Sequence, residues 1–159
     1  MTNVYIAFVH GDFRQAGPEY KAGTIACACK CADDEGNMVF DYYQDAGPQG
    51  DQFPGTFVVE CVEAIRSKLP EVANEAIHFH VYNDPHGHGK YVINMTTQYI
   101  GDFLLSGGMT RNGDPVQHWD KWKRIAEWGM SLNPEPTWNY AGNDPAVNLV
   151  VNAAKKLIQ

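Results

Sequence analysis

The sequence predicts an α/β fold, a five-stranded mixed sheet flanked by helices, in the order strand, strand, strand, helix, strand, helix, helix, strand, helix. Two observations carry this expectation. The chain opens with three segments dense in β-branched, aromatic and small apolar residues, separated by turns, and three such strands in succession make an antiparallel meander the simplest layout. After residue 55, helical spacing alternates with short apolar runs, the pattern of helices laid over a sheet. Across the 159 residues no repeat, linker or low-complexity tract breaks this order, so one domain over 1–159 is expected.

The nearly continuous apolar run 4–9 reads as a buried strand. Strands over 22–30 and 38–43 come next, joined through the acidic turn Asp33-Asp34-Glu35-Gly36-Asn37. Within the second strand Cys27, Cys29 and Cys31 share one face, because side chains alternate along a strand. That spacing is too tight for a zinc finger, and buried free thiols are the simpler reading. A helix over 56–69 presents Phe57, Val58, Cys61, Val62, Ile65 and Leu69 on one side and stops at Pro70. The irregular, Gly- and Pro-rich loop 47–55 precedes it. A fourth strand covers 76–82. Helices over 91–105 and 116–132 flank Gly107-Gly108, and Pro134 and Pro136 come after the second. A short fifth strand spans 137–140. The last helix, 145–158, starts with Asp144 as cap and Pro145 in its first turn.

With a formal charge of −7 and a pI near 5.2, the chain has no broad basic surface, so any contact with nucleic acid must be local. The first residues carry neither the charged head nor the apolar run of a secretion signal, and no apolar stretch approaches bilayer length. A soluble, cytoplasmic protein with no membrane partner is therefore expected.

Four local patterns carry more specific information. His88-Gly89-Lys90-Tyr91-Val92-Ile93-Asn94 resembles the D-S-K-Y-V-I-N junction of type 1 ribonucleases H, and Val9-His10-Gly11-Asp12 resembles the end of that family's first strand, D-G-S. Gly107-Gly108-Met109-Thr110-Arg111-Asn112-Gly113-Asp114-Pro115-Val116, with Trp122 beyond it, resembles G-W-x-T-x-x-G-x-P-V and the tryptophan after it. Tyr140-Ala141-Gly142-Asn143-Asp144-Pro145 resembles the H-A-G-H-P loop with one residue added, and Asn148 and Asn152 keep the spacing of N-x-x-x-D. The resemblance runs from about residue 4 to residue 157.

This resemblance implies a ribonuclease H-like fold, three antiparallel strands and then parallel ones. It also implies a site where acidic residues hold two divalent metals and hydrolyse the RNA strand of RNA–DNA hybrids. Carried over by position, His10 replaces the first aspartate, Glu60 keeps the helix glutamate, Asn152 takes the last aspartate position and Tyr140 that of a mobile loop histidine. The third carboxylate position stays open between Tyr82, Asp84 and His88, because the gap can be placed on either side of the turn.

Neutral imidazole and amide ligands hold a magnesium pair poorly, so ordinary hydrolysis is expected to be lost or very weak. His10, Glu60 and His88, completed by Asp12, Asp84 or His86, would suit manganese or zinc better. The segment 78–88 holds four of the six histidines. Against a metal site stand simpler readings: His78 and His80 as polar positions on one strand face, Asp84-Pro85-His86-Gly87 as ordinary turn chemistry, and Glu60 and Asn152 as helix-surface residues. The segment matching the family's basic handle, 98–108, contains no lysine or arginine, and Phe103, Leu104 and Leu105 within it read as helix packing or as a protein-docking patch. Lys90, Lys121 and Arg124 remain as candidate phosphate contacts, while Trp122 reads as core.

The leading expectation is a ribonuclease H-like protein retained as a binding or regulatory module, with an RNA–DNA hybrid, another nucleic acid or a protein as partner. The alternatives are a metal-dependent nuclease with a rewired site and an acidic inhibitor or assembly subunit that contacts only protein.

Overall fold

The computed structural model describes residues 2–10, 25–45, 54–69 and 75–158. Its elements are β1 (Thr2–His10), β2 (Ile25–Ala32), β3 (Met38–Asp45), α1 (Pro54–Lys68), β4 (Ile77–Val81), α2 (His88–Asn94), α3 (Ile100–Leu105), α4 (Trp119–Met130), β5 (Thr137–Tyr140) and α5 (Pro145–Leu157), with a π-helical turn, Met95–Tyr99, joining α2 to α3. The strands form one sheet in the order β3-β2-β1-β4-β5. β1, β2 and β3 pair antiparallel, whereas β4 and β5 add in parallel. The expected strand start at 22–24, the loop at 47–53 and Asp12 lie outside the described residues.

Alternation along β1 and β2 sorts the core into two layers. Val4, Ile6 and Phe8 join Cys27, Cys29 and Cys31 beneath Val58, Val62 and Ile65 of α1 and Trp122 of α4, all essentially fully buried. Each such large apolar side chain stabilises the fold by roughly 1.5–3 kcal/mol. The cysteines and Cys61 are free thiols in this layer, and burial pushes the Cys27 thiol well above its usual range. On the other face Ala7, Ala26 and Ala28 meet Val147, Val150, Val151 and Ala154, where small strand residues let α5 lie close to the sheet. Asp144 caps α5 by accepting from the Ala146 amide at 2.9 Å, and its second oxygen accepts from the Tyr5 hydroxyl at 3.0 Å.

Two glycines are required by close approach. A Cβ at Gly89 would collide with the Tyr82 carbonyl oxygen, so only glycine lets the start of α2 rest on the end of β4. Gly108, at φ +89°, lies against the Trp119 ring, where a Cβ would overlap the indole.

The expected helix 91–105 is continuous but changes pitch. Thr96 and Thr97 hydroxyls donate to the carbonyls of Val92 and Ile93, at 2.9 and 2.6 Å, and compete with the backbone ladder where it widens into the π turn. The extra residue rotates the helix beyond it. Phe103 and Leu104 stay half-buried, but Leu105 is 89% exposed, which corrects the reading of all three as packing residues. Among the described residues no helix is long and apolar enough to cross a membrane.

Candidate functional site

Parallel pairing of β1 with β4 brings the ends of both strands to the same edge, with Ile6 opposite Val81. The Tyr82 amide still donates to the Ile6 carbonyl at 2.9 Å, and the chain then turns through 83–87 into α2. Asp84 organises that turn. It is 4% exposed, and its carboxylate accepts from the backbone amides of His86, His88 and Gly89 at 3.2, 3.3 and 2.7 Å. The last two are free N–H groups at the beginning of α2, where negative charge is stabilised, and the first belongs to the turn before it.

His88, the first residue of α2, is thereby set against His10, the last residue of β1. Their Nε2 atoms are joined in a direct hydrogen bond, and the rings lie 4.7 Å apart and 9° from parallel. His86 stacks on the same His10 ring at 3.7 Å and 19°, so His10 is flanked by two other imidazoles. Burial lowers the His10 pKa to about 4, helped by the neighbouring His88 and His86 and opposed by Asp84. Burial likewise lowers that of His88, against the pull of Asp84 and with the help of His86. His10 is therefore uncharged near neutral pH.

Among the described residues no hydrogen bond, ion pair or ring contact joins Glu60, Tyr82, Tyr140 or Asn152 to these imidazoles. Glu60 is exposed on α1, and among the described residues no hydrogen bond or ion pair joins it to the imidazoles; its charge contributes instead to raising the Tyr42 phenol on β3, after burial and Cys61. Tyr82 packs with the α5 layer. Tyr140 is exposed at the end of β5, opposite Val81, and Asn152 is exposed on α5. Asn148 instead lines a polar pocket of about 280 Å³ with Tyr82, Asn83 and Asn143. Sequence reasoning passed over Asn83 and Asn143, whose only local signal is an amide at each of two turns. His78 and His80 are held by cross-strand partners: His78 Nδ1 bonds the Thr137 hydroxyl at 2.6 Å and His80 Nε2 bonds Asn3 Oδ1 at 2.9 Å.

On the candidate binding side, Lys90 is exposed and Lys121 half-buried, while Arg124 shares its charge with Asp120 at 3.5 Å and Glu63 at 3.9 Å. In place of a basic handle stands an aromatic series: Tyr99 stacks on Phe103 at 5.9 Å, and Phe103 meets Trp119 edge-on at 6.3 Å.

The two-metal arrangement of the resembling family does not fit this donor set. The imidazoles of His10 and His88 bring no negative charge, and both oxygens of Asp84 are engaged by backbone amides. Among the described residues no three histidine, cysteine or carboxylate side chains are grouped so as to hold a metal ion.

Neither a protein-family model nor a curated protein matches this sequence. Solved structures do. The foamy viral protease-reverse transcriptase in complex with an RNA/DNA hybrid superposes with a TM-score of 0.71 at 14% identity, covering 98% of this chain and 19% of that one. The same viral protein in complex with double-stranded DNA gives 0.70 at 15% identity, covering 99% and 90%. The ribonuclease H domain of prototype foamy virus gives 0.65 at 17% identity, covering 99% and 91%. This chain thus spans about a fifth of the first of these. Together with the sheet order and the flanking helices, these likenesses establish what the chain is at the level of architecture: it has the ribonuclease H-like fold.

Proposed function

We propose that this chain is a nucleic-acid-binding module of ribonuclease H-like fold that does not hydrolyse RNA–DNA hybrids by magnesium chemistry. The observation that carries the reading is the imidazole pair His10–His88 at the ends of β1 and α2, positions that the resemblance, counted back from the helix, assigns to carboxylates. Two magnesium ions need hard, anionic oxygen ligands, and a neutral imidazole pair offers none. Support for a nucleic-acid partner comes from the fold neighbours seen with an RNA/DNA hybrid and with double-stranded DNA. Lys90 and Lys121 are the cations proposed to touch phosphate, and with so few contacts the binding is modest and salt-sensitive. About two phosphate contacts correspond to a slope near −2 in log K against log salt.

The test is binding and cleavage on one hybrid duplex, with magnesium, manganese and zinc in turn. Salt-dependent binding without magnesium-dependent cleavage is expected. Cleavage with magnesium that disappears in Glu60→Ala would defeat the proposal, and absence of binding at low salt would leave a protein as the partner.

A further inference from the structure

On the helical side of the sheet, away from the imidazoles, lies a cavity of about 200 Å³ between the π turn with α3 on one side and α4 with β5 on the other. We infer that this cavity is a binding site for a small arylalkylamine, a flat ring carrying a cationic nitrogen on a short chain. Its walls are apolar and aromatic: Leu104, Ala126, Trp122 and Trp138 line it. Trp138 lays one face on Phe79, with centroids 3.7 Å apart and planes 2° from parallel, so its rotation is fixed by the core. Trp122 is fully buried, and its indole N–H is already satisfied by the Tyr91 hydroxyl at 3.1 Å.

A cavity of roughly 150 Å³ holds a benzene ring, so this one has room for a ring and a two-carbon tail. Among the described residues Glu135 is the only charged one in the lining. It is exposed, it sits between Pro134 and Pro136, and among the described residues no ion pair engages it. A carboxylate at the mouth of an aromatic cavity selects a cation, since both the charge and the ring faces attract positive nitrogen. The π turn on the opposite wall fits this role, because such turns are frequent at functional sites.

The test uses the full chain, with phenethylamine as probe and 2-phenylethanol as its neutral counterpart, monitored by calorimetry and by shifts of the tryptophan indole resonances. Phenethylamine is expected to bind with a dissociation constant on the order of a millimolar or below, as befits about nine heavy atoms, and more tightly than the alcohol. Glu135→Gln is expected to weaken the amine about three- to fivefold and to leave the alcohol unchanged, as loss of a partly exposed ion pair requires. Ala126→Leu fills the cavity and is expected to abolish both. Equal affinity for amine and alcohol, or an amine affinity unmoved by Glu135→Gln, would overturn the assignment. So would failure of either probe to bind a protein whose melting shows it folded. Because Glu135 is exposed, its variant reports on the site without endangering the fold.

Discussion

The Nε2 atoms of His10 and His88 are hydrogen-bonded to each other across a separation of 78 residues, which ties the end of β1 to the start of α2. Imidazoles carry no negative charge in either protonation state, so the pair supplies none at the ends of β1 and α2, where the resemblance, counted back from the helix, would have carboxylates. Restoring that charge is a direct test. The double variant His10→Asp, His88→Asp is expected to bind manganese or magnesium measurably by calorimetry, whereas the parent binds magnesium far more weakly. Equal magnesium binding by both proteins would show that charge at these positions does not govern the site.

Acid weakens the fold through the same residues. His10 is lowered from 6.5 in the unfolded chain to about 4 in the folded one. Between those values the unfolded state binds more protons, so stability rises with pH there. Stability is therefore full above about pH 6.5 and falls as the pH drops toward about 4, with His88 and His80 acting in the same direction. Urea denaturation at a series of pH values is expected to show this slope, and His10→Asn should flatten it. An unchanged slope in that variant would place the acid sensitivity elsewhere.

Asp84 is a structural anchor for the site. Asp84→Ala removes the acceptor of the buried His88 and Gly89 amides that open α2, and of the His86 amide in the turn before it. Loss of charged hydrogen bonds at a helix start is expected to cost about 2–4 kcal/mol, and Asp84→Asn, which keeps one oxygen acceptor, less. Chemical denaturation measures the difference. A neutral effect of Asp84→Ala would mean that the turn is held by backbone alone.

Two glycines in helices are expected to respond in opposite directions. Gly89→Ala forces a methyl group into the Tyr82 carbonyl and is expected to cost about 3 kcal/mol or more, or to shift α2 off β4. Gly101→Ala meets nothing within 4 Å and is expected to stabilise α3 by about 0.5–1 kcal/mol. Melting temperatures of the two variants provide the check.

Much of the fold is legible in the sequence because it rests on local patterns. The three opening strands, the helix with Val58, Cys61, Val62 and Ile65 inward and the Asp144 cap all derive from spacing between near neighbours, and the structure has them. The burial of Cys27, Cys29 and Cys31 derives from strand alternation alone. Leu105 departs from its expected packing because three consecutive helical residues span about 200° around the axis, so Phe103 and Leu104 can face the core only with Leu105 turned to solvent.

The site is legible as a set of residues and not as an arrangement. By resemblance the sequence puts His10 at one acidic position of the family and leaves another open between Tyr82, Asp84 and His88. Only the parallel pairing of β1 with β4, and the contact that Gly89 permits between Tyr82 and α2, bring those two imidazoles together. Likewise the turn Asp84-Pro85-His86-Gly87 reads the same whether Asp84 is a ligand or a cap. Its role depends on which amides fall within 3.3 Å of its oxygens, and that is decided where the backbone of α2 meets the sheet. Periodicity is a property of residues near one another in the chain, whereas a site is made by residues distant in the chain, so the sequence determined the elements and tertiary contact determined the chemistry.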